Sequence, residues 1–91
     1  MNRETLRQQV RATLISALML KMKPEDIRTD ALLFGPNGIG LDSIDALQLV
    51  VALEKEFGLK IKDSAAGQKI LQSVDTIVEG IIQEAAARPA S

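Results

Sequence analysis

The sequence predicts an all-α fold, a small bundle of three to four helices. Three observations carry this. Apolar residues recur at helical spacing in three separate segments. Asn, Asp or Ser stands just ahead of each segment, where a helix cap belongs, and Gly58 and Pro89 follow the second and third. No stretch reads as a convincing strand. With 91 residues, 1–91 reads as one domain with a modest core, ordered over about 3–87 and frayed at the C-terminal end.

The first helix is expected over 5–19. Leu6, Val10, Leu14, Ala17 and Leu18 share one broad face, and Asn2 can cap it. Arg3, Arg7 and Arg11 form a basic row beside that face. The row reads as a solvated surface, with contact to a partner as the alternative. Residues 20–41 read as a long loop punctuated by Pro24, Gly35, Pro36, Gly38 and Gly40. So long a loop in so small a domain needs anchors. Ile27, Leu32, Leu33 and Phe34 are the candidates, with one helical turn near Asp30 and a turn at 35–38.

The clearest helix spans 43–57. Asp42 is its expected N-cap, Asp45 adds negative charge to the first turn, and Gly58 ends it. A connector follows, with a short helix expected over 64–70 despite Gly67. The last helix is expected over 74–87. It is capped by Ser73, reinforced by Asp75, and buries Val74, Ile77, Val78, Ile81, Ile82 and Ala85. Gly80 is a local weakness in it.

Composition narrows the function. The net charge is −1, from 11 basic and 12 acidic residues, so there is no basic field for nucleic acid. There is no Cys and no His, which removes the Ser-His triad, the thiol nucleophile and the usual zinc sites. The aromatics are Phe34 and Phe57 alone, so the core must be aliphatic. The apolar run at 49–53 is too short to span a membrane, and the polar N-terminus lacks the apolar region of a signal peptide. A cytoplasmic monomer that is not an enzyme is expected.

The 43–57 helix carries two apolar groups. Ala46, Leu49, Val50, Leu53 and Phe57 fall on one side. Ile44, Leu47 and Val51 fall on roughly the opposite one. A bundle helix needs only one buried stripe. The second stripe either lies beneath the 20–41 loop or stays exposed to receive a partner, rimmed by Asp45, Glu54 and Glu56. Ser43 begins the same helix. With Asp42 as cap, its hydroxyl is left to point outward, where a phosphate would meet unpaired backbone N–H groups. Ser16, Ser64, Ser73 and Ser91 lack this combination.

Residues 40–61, GLDSIDALQLVVALEKEFGLKI, resemble the acyl carrier proteins and their relatives. Asp42, Ser43, Ile44, Leu53, Glu54, Phe57 and Gly58 stand in register with that family, and the layout of the whole chain is similar. The resemblance implies that a phosphopantetheinyl transferase attaches 4′-phosphopantetheine from coenzyme A to Ser43. Acyl groups would then ride on its thiol as thioesters, which suits a chain without cysteine. It further implies that acyltransferase- or ketosynthase-type enzymes load and process the cargo. They would dock along Ile44, Leu47 and Val51, with Asp42, Asp45 and Glu54 meeting their basic groups. The helical interior would shelter some acyl chains. Typical free-standing fatty-acid carriers are more acidic and have an acid where this chain has Gln48. Here Lys55 also interrupts the acidic row, the first helix is basic, and the loop before the motif is longer. Together with the initial Met, these features lead to the expectation of a free-standing bacterial carrier in a specialised fatty-acid or polyketide-like pathway. The alternatives are a peptidyl or aminoacyl carrier, whose motif usually reads Gly-His-Ser or Gly-Asp-Ser, and an unmodified helical module that binds a partner through the 44/47/51 face.

Overall fold

The computed structural model describes residues 2–34, 38 and 40–87. Four α-helices follow in order: α1 Arg3–Leu18, α2 Ser43–Phe57, α3 Ser64–Ile70 and α4 Val74–Ala87. A single 3₁₀ turn, Pro24–Asp26, interrupts the long loop. α1 packs on both α2 and α4, and the short α3 leans on α4. The bundle is the all-α one expected, and the second, third and fourth helices fall at their expected residues. An isolated bridge between Phe34 and Leu41 is the only extended pairing among the described residues.

Caps set most of these boundaries. The Glu4 and Thr5 N–H groups donate to Asn2 Oδ1 at 2.8 and 3.4 Å, starting α1 two residues earlier than expected. Its end comes one residue earlier, because Met19 turns into the left-handed region at φ 52°. The Ala66 N–H donates to Asp63 Oδ1 at 2.8 Å and holds the start of α3. At α4 the Thr76 N–H donates to Ser73 Oγ at 3.2 Å.

Every buried hydrophobic residue described is Leu, Ile or Val, as two aromatics require. Leu6, Val10 and Leu14 from α1 meet Leu49 and Leu53 from α2 and Val74, Ile77, Val78 and Ile81 from α4. Phe34 and Phe57 are half-buried at the margin of this core. Ala85, expected in the stripe of α4, is exposed. It stands a full turn beyond Ile81, where the bundle no longer covers the helix.

Two of the three arginines in the basic row, Arg3 and Arg7, are neither merely solvated nor free for a partner. Arg3 Nη1 donates to Glu79 Oε2 at 2.7 Å, and Arg7 Nε to Asp75 Oδ1 at 3.0 Å, tying α1 to α4. Arg7 also reaches Glu4 at 3.3 Å. The hydrogen bond to Asp75, and then that to Glu4, raise the Arg7 pKa above its ordinary value. Folding therefore favours the charged guanidinium. This contribution is fully present below the unfolded pKa and is lost only as pH rises through the folded one, so it makes no switch near neutrality.

The loop is anchored, though not quite as expected. Ile27 and Leu33 are fully buried, and Phe34 packs on the core, but Leu32 is 47% exposed. Its neighbour Leu33 takes the inward place instead, held by backbone hydrogen bonds to Gln72 and Leu41. The helical turn stands at Pro24–Asp26 rather than near Asp30. Pro24 is preset for a first helical position, and the Asp26 carboxylate accepts from the Lys23 N–H at 3.3 Å. Residues 35–37 of the expected 35–38 turn, and the expected frayed end with Pro89, lie outside the described residues.

Candidate functional site

The site is built from its approach. The Leu33 N–H donates to the Gln72 carbonyl at 2.9 Å, and the Leu41 N–H donates to the Leu33 carbonyl at 3.2 Å. The Asp75 N–H reaches back to the Thr29 carbonyl at 2.9 Å. The loop is thus fastened to the α3–α4 corner at two points and closed on itself before α2 begins. Gly40 makes the last bend with φ 91°, a region that side chains rarely adopt, and Leu41 is buried immediately after it. The position of Ser43 is therefore fixed by the core only two residues away.

Asp42 and Asp45 form a reciprocal cap. The Asp45 N–H donates to Asp42 Oδ1 at 3.0 Å, and the Asp42 N–H donates to Asp45 Oδ2 at 3.1 Å. The Ala46 N–H closes the first helical hydrogen bond to the Asp42 carbonyl at 3.0 Å. Ser43 is left in the first helical position, exposed, with no hydrogen bond to its hydroxyl among the described residues. The N–H groups of Ser43 and Ile44 precede the first intrahelical bond and have no acceptor within the helix. An anion attached to the Ser43 oxygen would lie at the positive end of α2.

Of the two readings of the second stripe, exposure holds. Ile44, Leu47 and Val51 are 64, 69 and 65% exposed, and the loop does not cover them. At 100° per residue, Ser43 and Glu54 flank this stripe on one side and Gln48 and Lys55 on the other. Glu56, expected in its rim, instead lines a groove with Asn2, Thr5, Leu6 and Gln9 on the α1 side. Of the expected orienting acids, Glu54 flanks the stripe and is exposed; Asp42 and Asp45 hold the start of α2, Asp42 exposed and Asp45 half-buried, and Asp45 stands well round the helix from the stripe.

Beside Ser43 opens a feature the sequence reading did not locate. A cleft of about 670 Å³ lies between α2, α3 and the 32–34 segment. Its apolar lining includes Phe34, Ala46, Val50, Ile61 and Leu71, with Gly67 in α3. Gln68, Gln72 and Asp63, all exposed, supply polar groups at its rim. Ser43 and Leu47 also line it. The signal in the sequence was Gly67 itself, a helix-weakening residue inside an expected helix.

A 4′-phosphopantetheine group fits these residues. The serine hydroxyl is free, the helix start favours its phosphate, and an apolar cleft begins at the same residue. The family model for the phosphopantetheine attachment site matches residues 8–81, most of the chain. The chain is also 32% identical over 87 residues to the acyl carrier protein of Thermosynechococcus vestitus, covering 96% of this chain and all of that one. The chain belongs to the acyl carrier protein family.

Other relatives match parts of the carrier. The acyl carrier protein of Campylobacter hominis is 35% identical over 63 residues, 68% of this chain and 77% of that one. Acyl carrier protein 2, mitochondrial, of Arabidopsis thaliana is 42% identical over 52 residues, 57% of this chain, and the match spans only 40% of that protein's length. The family's domain is the site of covalently attached 4′-phosphopantetheine, and its members are carriers rather than enzymes. They work with a phosphopantetheinyl transferase and with acyl-processing enzymes generally. No helix among the described residues is long and apolar enough to cross a membrane.

Proposed function

We propose that Ser43 is the residue that bears the 4′-phosphopantetheine, and that the carrier, as a single monomeric domain, presents acyl thioesters to partner enzymes. The observation that carries this is the free, exposed Ser43 hydroxyl at the start of a helix already capped by Asp42. The group's terminal thiol holds the acyl cargo. The chain's own residues hold the attachment point in place and leave it accessible. Asp42 and Asp45 each commit an oxygen to capping, which holds the first turn that carries Ser43.

Partners dock on Ile44, Leu47 and Val51 in this reading, with Asp42, Asp45 and Glu54 giving orientation. Burying each of the three apolar side chains returns roughly 1–2 kcal/mol before the costs of association. The charged groups act more on encounter rate than on affinity. The cargo is an aliphatic acyl group from a fatty-acid or polyketide-like pathway, for which the apolar cleft speaks. The cytoplasmic setting belongs to the proposal, and relatives named as mitochondrial make the mitochondrion the competing one.

The test is intact mass after incubation with coenzyme A and a broad-specificity phosphopantetheinyl transferase. One phosphopantetheine should add to the native chain and none to Ser43→Ala. Addition to Ser43→Ala would move the site elsewhere. No addition to folded native protein, with its own source's transferase also tried, would leave the unmodified interaction module as the better reading.

A further inference from the structure

We propose that Gly67 sets how much acyl chain the cleft beside Ser43 can hold, and so acts as a specificity-determining residue for the cargo. The inference rests on the carrier reading above. It starts from a glycine in an unfavourable place. Gly67 is the fourth of seven residues in α3, and a helix that short can least accommodate a poor helix former.

The usual reasons for a glycine fail here. Gly67 does not have a positive φ, unlike Gly40 and Gly58. It is not crowded by backbone, unlike Gly38, where an added Cβ would come within 2.7 Å of the Leu32 carbonyl oxygen. A Cβ at Gly67 would meet one atom within 4 Å, Ile61 Cγ2 at 3.3 Å. Gly80 in α4 differs again, since its Cβ would sit against both Ile70 and Leu59.

What the missing side chain does provide is space in the cleft. Gly67 is buried and lines it together with the α2 residues Ala46 and Val50, and the one atom it would press on belongs to another lining residue, Ile61. A side chain at 67 would fill the cleft directly and also push Ile61. The polar groups Gln68, Gln72 and Asp63 are exposed, so the part that Gly67 enlarges is apolar. An occupant tethered at Ser43 and buried at Gly67 is an aliphatic chain.

The experiment loads the native carrier, Gly67→Ala and Gly67→Leu with acetyl, octanoyl or palmitoyl groups, using the acyl-coenzyme A donors and the transferase. Two quantities are read: the rate of thioester cleavage by hydroxylamine, and the thermal midpoint of each loaded form against the thiol form. In the native carrier the longer chains should be protected relative to acetyl. Each methylene displaced from the cleft should cost roughly fourfold in that protection, the value for transferring one CH₂ to water. Gly67→Leu should lose protection for octanoyl and palmitoyl and cleave acetyl at the native rate. Gly67→Ala should show the same trend more weakly, because its Cβ presses only on the Ile61 side chain. Acetyl cleavage at the native rate in both variants, with each thiol form melting cooperatively, separates cleft filling from damage to the fold. Unchanged octanoyl protection in both variants, each loaded and folded, would overturn the role of Gly67 alone. A native protein that takes up no phosphopantetheine would overturn the carrier reading and this inference with it.

Discussion

Ser43 and Ser73 both stand at the start of a helix, and they have opposite fates. Ser73 is the cap of α4; it is 6% exposed, and its oxygen accepts the Thr76 N–H. Its own N–H in turn donates to the Thr76 hydroxyl at 2.9 Å. Ser43 is one position further into its helix, and Asp42 has already taken the capping role. The same side chain is consumed in one place and left available in the other. The preceding residue makes the difference: Gln72 cannot take the short-range capping role that Asp42 takes, so Ser73 must.

The largest test of this contrast is a pair of alanines. Ser43→Ala should abolish phosphopantetheine loading outright, read by intact mass, with almost no change in thermal midpoint, since no hydrogen bond is lost. Ser73→Ala should load normally and lose about 1 kcal/mol of stability in denaturant unfolding, the usual cost of a cap. If Ser73→Ala failed to load while folded, the contrast would collapse.

Next comes the platform behind Ser43. Leu33→Ala removes a fully buried side chain where the loop is fastened to Gln72. It should cost about 2–5 kcal/mol in guanidinium unfolding, a large share of a small domain's stability. Loading should slow beyond what the unfolded fraction explains, because the approach to α2 loses its anchor. Loading that follows the folded fraction alone would mean the loop does not position the serine.

Asp42 sharpens the comparison further. Asp42→Ala should cost about 0.5–2 kcal/mol and slow loading, because Ser43 becomes the nearest group able to cap. Asp42→Asn keeps an acceptor and should restore most of the stability, leaving any loading defect to the lost charge. The smallest effect concerns the flank of the exposed stripe. Gln48→Glu or Lys55→Glu should speed association with a basic partner, measured by stopped flow, and the gain should shrink as salt rises.

The contrast between the serines also shows what could be read in advance. The α2 boundaries, the Asp42 cap and the exposed stripe were legible because each follows from spacing within about fifteen residues. The cap hydrogen bonds that start α1 were legible for the same reason, through Asn2. What escaped depends on residues distant in sequence. Arg3 and Arg7 looked like a solvated row because Glu79 and Asp75 are some seventy residues away, on α4. Leu32 looked like an anchor because the sequence carries no register for an irregular loop, in which Leu33 takes the inward place instead. Glu56 was assigned to the rim without knowing that α1 would lie beside it. The cleft is formed by three separate segments, and none of them announces it alone.

One detail of the loop has a bearing on when the carrier becomes competent. The hydrogen bonds from Leu33 to Gln72 and from Asp75 to Thr29 join positions about forty residues apart. While a ribosome is still making the chain, α2 can coil locally, but the bench on which its first turn rests does not yet exist. It is completed only when the corner before α4 emerges and docks. The seat of Ser43 is therefore a property of the whole chain, available only after the corner near residue 75 has been made.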